Sequence, residues 1–171
     1  MVKSFRSVAL AAGLVVIAGA ALAQDRPDKA SQKFITEAIQ GNFAEVQMGQ
    51  LAQKNAVGAE IKSFGQMLIT DHNDANVKAI EAAKAIGVNP PTEPNAKQKA
   101  HYEKLSKIVG AAFDKAFAQH MLDDHKKEIR AYRNASKKPN PAGQYARATV
   151  STLQKHLETA QSAQKKIPMV R

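Results

Sequence analysis

Residues 59–86 read AEIKSFGQMLITDHNDANVKAIEAAKAI, and the periodicity of this stretch decides the fold. Apolar or small residues recur at Ile61, Gly65, Leu68, Ala75, Ala79, Ala82 and Ile86, which stack on one face of a helix. Glu60 stands in the first turn, where the positive end of the peptide dipole favours an acid. Gly87 then ends the segment, and Pro90, Pro91 and Pro94 prevent its continuation.

The same pattern extends in both directions. A helix is predicted from Lys29 to about Ala56, with Phe34, Ala38, Gly41, Met48 and Ala52 on its stripe and Gly58 beyond its end. After the prolines, Asn95 and Gln98 have capping-box spacing and open a shorter segment that runs to about Val109. Gly110 marks a break. A further helix spans Ala111 to about Lys137, ended by Pro139 and Pro141. Asn140-Pro141 is a cap and first-position pair for a last helix, which reaches about Lys165 before Pro168. No segment alternates with period two. Four long amphipathic helices and one short one predict an all-α bundle.

The first residues have a different character. Lys3 and Arg6 precede an apolar run from Val8 to Ala18, and Ala21-Leu22-Ala23 closes it on small residues before Gln24. A positive start, an apolar middle and an A-x-A ending are the parts of a secretory signal. The run is too short to cross a bilayer, which needs about 20 residues. Residues 1–23 are therefore expected to be a cleavable signal peptide, and residues 24–171 a helical bundle domain exported to the periplasm or beyond. No second stretch of spanning length follows, so an integral membrane protein is not expected. The chain has no cysteine, which removes disulfides, thiolate ligands and cysteine nucleophiles. Its formal net charge of +10 suits an anionic envelope component as partner. Nucleic acid is not expected, because export separates the protein from it and no basic-aromatic interleaving occurs.

Four polar residues fall where the stripes require apolar ones. Glu45 lies between Gly41 and Met48, and His72 between Leu68 and Ala75. His125 shares a stripe with Ala118, Leu122, Ile129 and Tyr132, and His156 with Ala146, Thr149, Leu153, Ala160 and Ala163. Glu45 and His72 are about 18 and 22 Å from their shared turn at ~1.5 Å rise per residue. His125 and His156 are about 21 and 25 Å from theirs by the same rise. Each antiparallel pair can thus bring its polar residues to one level, while the irregular 88–110 connection leaves the level of one pair against the other open. A Glu and three imidazoles are donors for one first-row ion such as zinc, copper or iron. The competing reading is a hydrogen-bonded polar cluster that binds nothing.

Several neighbours also carry two readings. Asp71 and Asp124 each precede a candidate histidine and lie about 100° round the helix. They read as surface acids or as partners that orient an imidazole. Met48 and Met121 read as packing residues, and His101 and His120 as surface residues. A weak internal echo pairs Phe64 and Asp71-His72 with Phe117 and Asp124-His125, eight residues separating each Phe from its His. No Ser-His-Asp arrangement, phosphate loop or carboxylate pair in a cleft is recognised, so no catalytic residue is expected.

Five segments carry a resemblance: Gly41–Val46 (GNFAEV), Met67–Asn76 (MLITDHNDAN), Gly110–Asp114 (GAAFD), Met121–His125 (MLDDH) and His156-Leu157. In their order and spacing the chain resembles the secreted bacterial domain-of-unknown-function family 4142, a ferritin-like set. The resemblance spans about Ser31 to Ala163. It implies a ferritin-like up-down four-helix bundle with an extra short helix in the connection between the second and third long helices, and no established activity. Ferritin-like di-iron enzymes take Glu-x-x-His from two helices. Here Ile69, Leu122 and Leu153 stand three before the histidines, so that chemistry is not carried over.

Two functions remain open: an exported bundle binding one metal ion at Glu45, His72, His125 and His156, or a structural, interaction or stress-related module of the envelope. Export is directly testable. Protein recovered outside the cytoplasm should begin at Gln24 on N-terminal sequencing, and a retained Met1–Ala23 segment would contradict the expectation.

Overall fold

A computed structural model describes residues 28–167; the expected signal peptide lies outside them. Five helices occur and, among the described residues, no strand: α1 Lys29–Asn55, α2 Ala59–Ala85, α3 Ala96–Ser106, α4 Gly110–Ala135 and α5 Pro141–Lys166. The bundle is the architecture that the sequence predicts, with bounds shifted by one to three residues, the largest at the end of α3. None of these helices is long and apolar enough to cross a membrane.

The ends form for local reasons. Asp28 caps α1 by accepting from the Ser31 N–H at 2.7 Å. The Asn95–Gln98 pair makes a reciprocal capping box on α3. Asn140 accepts from the Gly143 N–H, with Pro141 in the first turn of α5. Gly87 and Gly110, at φ of 71° and 69°, supply the left-handed backbone at the two breaks flanking the crossover.

α1 and α2 pack as one antiparallel hairpin, α4 and α5 as another, and α2 lies against α5. The crossover through α3 brings the start of α4 back to the α1–α2 turn. There Asn55 Nδ2 donates to the Ile108 and Ser106 carbonyls at 2.7 and 3.2 Å. The Asp114 carboxylate accepts from the Gly58 and Val57 N–H groups at 2.8 and 3.2 Å. α2 and α4 therefore run in the same direction, the arrangement of ferritin-like bundles with one long crossover. These four bonds fix the level of one hairpin against the other, which the sequence leaves open.

The interior divides into layers. One apolar cluster near the α1–α2 turn includes Leu51, Ile61, Phe64, Phe113, Phe117 and Met121. A second at the opposite end includes Ile35, Ile39, Ala83, Ile129, Ala146 and Leu153. Phe64 and Phe117, the two aromatics of the internal echo, meet edge to face with centroids 6.0 Å apart. Close approach of α1 and α2 depends on Gly49 and Gly65. A Cβ on Gly49 would stand 2.5 Å from the Gly65 carbonyl oxygen, and one on Gly65 would stand 2.7 Å from Ala52 Cβ.

Gly49→Ala or Gly65→Ala should each destabilise the fold by about 1–2 kcal/mol net. Overpacking costs about 1–3 kcal/mol against a helix-propensity gain of up to about 1 kcal/mol. Gly41→Ala, whose Cβ would meet only the ends of flexible side chains, Glu128 Oε1 at 3.3 Å and Gln98 Nε2 at 3.9 Å, should cost less. Urea unfolding of the three variants measures the difference, and equal losses at all three positions would refute this account of the contact.

Candidate functional site

Between the two apolar clusters lies a belt of polar side chains, placed there by helical spacing. Asn42 and Glu45 stand three apart on α1, His72 and Asn76 four apart on α2, and His125 and Glu128 three apart on α4; α5 contributes His156. His125 and His156 are fully buried, and His72 and Glu45 nearly so at 3% and 4% exposure. One ring nitrogen from each of His72, His125 and His156 lies within 4.8 Å of the other two. Phe64 covers one side of the group, its ring centre 6.2 Å from His125 and 6.3 Å from His156.

Each imidazole has one nitrogen tied outward, and the partner fixes which nitrogen carries the hydrogen. His125 Nδ1 lies 2.9 Å from the Met121 carbonyl oxygen, which only accepts. His72 Nδ1 lies 2.9 Å from Asn42 Oδ1, while Asn42 Nδ2 donates to the Tyr145 hydroxyl at 3.1 Å and to Asn76 Oδ1 at 3.5 Å. His156 Nε2 donates to Asp71 Oδ2 at 2.8 Å. What remains is three bare nitrogens: His72 Nε2, His125 Nε2 and His156 Nδ1. Burial holds all three rings neutral. It places the His72 value well below the ordinary one, reinforced by His156 and His125, and brings His125 down to about 4. At His156 burial outweighs the opposing pull of Asp71.

His125 Nε2 and His156 Nδ1 consequently face one another at 3.2 Å with a lone pair on each. Two lone pairs at that distance repel unless a cation stands between them. Zn–N bonds of about 2.0–2.1 Å at tetrahedral angles would separate two ligand nitrogens by about 3.3–3.4 Å. His72 Nε2 is buried with no partner at all. The outer anchors, a carboxylate, a main-chain carbonyl and a side-chain amide, are the groups that orient metal-binding imidazoles.

A pair of carboxylates adjoins this group. Glu45, His125 and Glu128 each offer one donor atom within 4.8 Å of the others. Glu128 lies opposite Gly41, where a Cβ would stand 3.3 Å from its Oε1. Glu45 Oε2 and Glu128 Oε2 are both buried without a hydrogen-bond partner. Burial, with the neighbouring Glu128 and Asp124 charges, holds the Glu45 carboxyl well above its usual range. Burial and Asp124 push Glu128 up to about 8. A cavity of about 360 Å³ between α1, α3 and α4 is lined by both carboxylates, Met48, Tyr132, His120 and the exposed His101.

These residues all fall within residues 16–163, which match the family described as a domain of unknown function, DUF4142. The chain belongs to that family. No curated protein and no solved structure was found to match it. Four of the five segments that carried the resemblance contribute to the belt of this DUF4142 chain: Gly41, Asn42 and Glu45 from the first, Asp71, His72 and Asn76 from the second, and Met121 and His125 from the fourth, with His156 from the last. The third supplies the Asp114 clamp.

The structure brings three of the four expected residues, His72, His125 and His156, onto one centre; Glu45 meets His125 from the carboxylate side. Of the two readings of Asp71 the structure favours the imidazole partner: α5 lies against α2 and presents His156 to its carboxylate, while the side chain stays 29% exposed. Two expectations are corrected. His120 is half-buried beside the cavity, bonded through Nε2 to Asp124 Oδ2 at 3.3 Å, so Asp124 serves it rather than a belt histidine. A carboxylate pair does line a cleft. Glu128 follows His125 by three residues, a His-x-x-Glu order that a search for Glu-x-x-His passes over. The donors still do not fit the carboxylate-bridged iron pair of ferritin-like enzymes, which requires Glu-x-x-His on two helices.

Glu128 makes apo stability fall with pH. Its folded value of about 8 exceeds the usual 4.5, so between those values the native state keeps a proton that the unfolded chain releases. The stabilisation is complete below pH 4.5 and lost as pH rises through about 8. Glu128→Gln should accordingly become more stable than wild type by a margin that widens from pH 5 to pH 9, measured as urea midpoints with chelator present. A margin independent of pH would contradict this placement of the carboxylate.

Proposed function

We propose that this protein is an exported metal-binding helical bundle that holds one transition-metal ion at His72, His125 and His156, with Glu45 beside them. The observation that carries the reading is the pair of ring nitrogens 3.2 Å apart, whose hydrogens are both committed to outer acceptors. Neutral imidazoles in a buried tripod suit zinc, copper or iron, and the absence of thiolates leaves nitrogen and oxygen as the donors. The signal-like residues 1–23 support an envelope location, where copper and zinc are the ions to test first. No nucleophile or acid–base arrangement is assigned, so the reading is binding rather than catalysis.

The alternative, a polar core that binds nothing, needs one further proton at this contact, on His156, His125 or Asp71, so that a hydrogen lies between His125 Nε2 and His156 Nδ1. That arrangement leaves His72 Nε2, Glu45 Oε2 and Glu128 Oε2 buried and unpartnered. Each such group carries a desolvation cost of about 1–3 kcal/mol. A cation relieves that cost at the imidazole directly.

Protein purified without an affinity tag should bind Zn2+ or Cu2+ tightly at the imidazoles. The double variant His72→Ala, His156→Ala should lose this binding, and Asp71→Asn should weaken it by about 10–100-fold through loss of the outer anchor. Metal analysis after dialysis and a calorimetric titration measure both effects. Wild-type protein that takes up neither ion under metal-replete conditions would defeat the reading.

A further inference from the structure

The carboxylate pair is not explained by a single ion at the imidazoles. His125 has one bare nitrogen, and that nitrogen faces His156. Once an ion occupies the imidazole tripod, the His125 lone pair is engaged, and Glu45 and Glu128 remain a separate pair of anionic donors. Each keeps a buried oxygen without a partner. No lysine or arginine among the described residues forms an ion pair with either. Lys127, at the rim of the cavity, pairs with Asp124 at 3.4 Å instead. Two adjacent buried carboxylates cost on the order of several kcal/mol each when nothing compensates them.

Protons can neutralise the pair, a carboxyl hydrogen going to the neighbouring carboxylate or to water in the cavity, and a cation competes with them for the same oxygens. The surroundings point to a hydrated cation. Glu45 is 4% exposed, yet it and Glu128 both line the cavity of about 360 Å³, which has room for several water molecules beside them. Two carboxylate oxygens and water ligands are the donor set of an oxygen-seeking divalent ion, which retains part of its hydration shell. His101 and His120, ring centres 5.1 Å apart, and Asp124 stand along the same cavity.

We propose that Glu45 and Glu128 form a second cation seat, distinct in chemistry from the imidazole seat and entered through the α1–α3–α4 cavity, for a hard divalent ion such as Mn2+. The inference rests on the reading above that His72, His125 and His156 hold the first ion. The two seats separate metals by donor type. Nitrogen ligands favour zinc and copper over manganese, whereas carboxylate and water suit manganese. Gly41 on α1 faces the pair, a Cβ there standing 3.3 Å from Glu128 Oε1.

Untagged protein is first loaded with Zn2+, freed of excess metal and assayed for zinc, then titrated with Mn2+ while electron paramagnetic resonance reads the free Mn2+. The expected result is one Mn2+ bound per chain with zinc retained. Glu128→Gln and Glu45→Gln should each weaken Mn2+ at least tenfold while leaving the Glu128→Gln zinc content unchanged. Lack of Mn2+ uptake by zinc-loaded protein, one-for-one displacement of zinc, or Mn2+ binding unaltered by Glu128→Gln overturns the second seat but not the first. Failure to load either Zn2+ or, in a parallel sample, Cu2+ defeats the imidazole reading and this inference with it. Should a variant not fold, as judged by its thermal melt, the wild-type Mn2+ stoichiometry decides alone.

Discussion

Polar groups taken out of water must find partners, and in the interior of this bundle that requirement governs three imidazoles at once. His72, His125 and His156 each anchor one N–H on a fixed acceptor, Asn42 Oδ1, the Met121 carbonyl and Asp71 Oδ2. The remaining lone pairs have no donor among the surrounding side chains. Two of them oppose each other at 3.2 Å, and the third has no partner. An apolar layer on either side buries the rings. The same burial that keeps the rings neutral also keeps them available as ligands.

This convergence depends on contacts far from it. Two hairpins packed face to face could slide by a turn and still bury their apolar stripes. Asn55 and Asp114 prevent that by holding the α1–α2 turn to the end of the crossover and the start of α4. The Gly49–Gly65 contact then sets how closely α1 approaches α2. Fold and site are linked through these few residues: helix level decides whether His72 meets His125, and helix spacing decides whether Asn42 reaches His72. A second network extends the belt, with the Tyr132 and Tyr145 hydroxyls 3.3 Å apart and Tyr145 joined to Asn42. It stiffens the amide that anchors His72.

The helices and their caps were legible in the sequence because they rest on local chemistry. The stripe of Ile61, Leu68 and Ala79, the Asn95–Gln98 box and the Asn140-Pro141 start need no knowledge of a neighbour. The histidines and Glu45 were legible for a related reason, as polar residues interrupting apolar stripes. Glu128 was not, although it stands three after His125 and four before Tyr132: it lies at the edge of their face, where a charged residue more often reaches solvent. Asp71 was ambiguous until α5 was seen to lie against its side of α2. The role of His120 depended on a cavity formed by three helices. What the sequence withheld is the set of properties that arise between helices rather than along one.

One cation held by three ring nitrogens at a single point would be visible in crystals of the zinc-loaded protein measured on both sides of the zinc absorption edge. An anomalous peak is expected about 2.0–2.1 Å from His72 Nε2, His125 Nε2 and His156 Nδ1. A peak confined to His101 and His120 beside the cavity, or none within the belt, would contradict it.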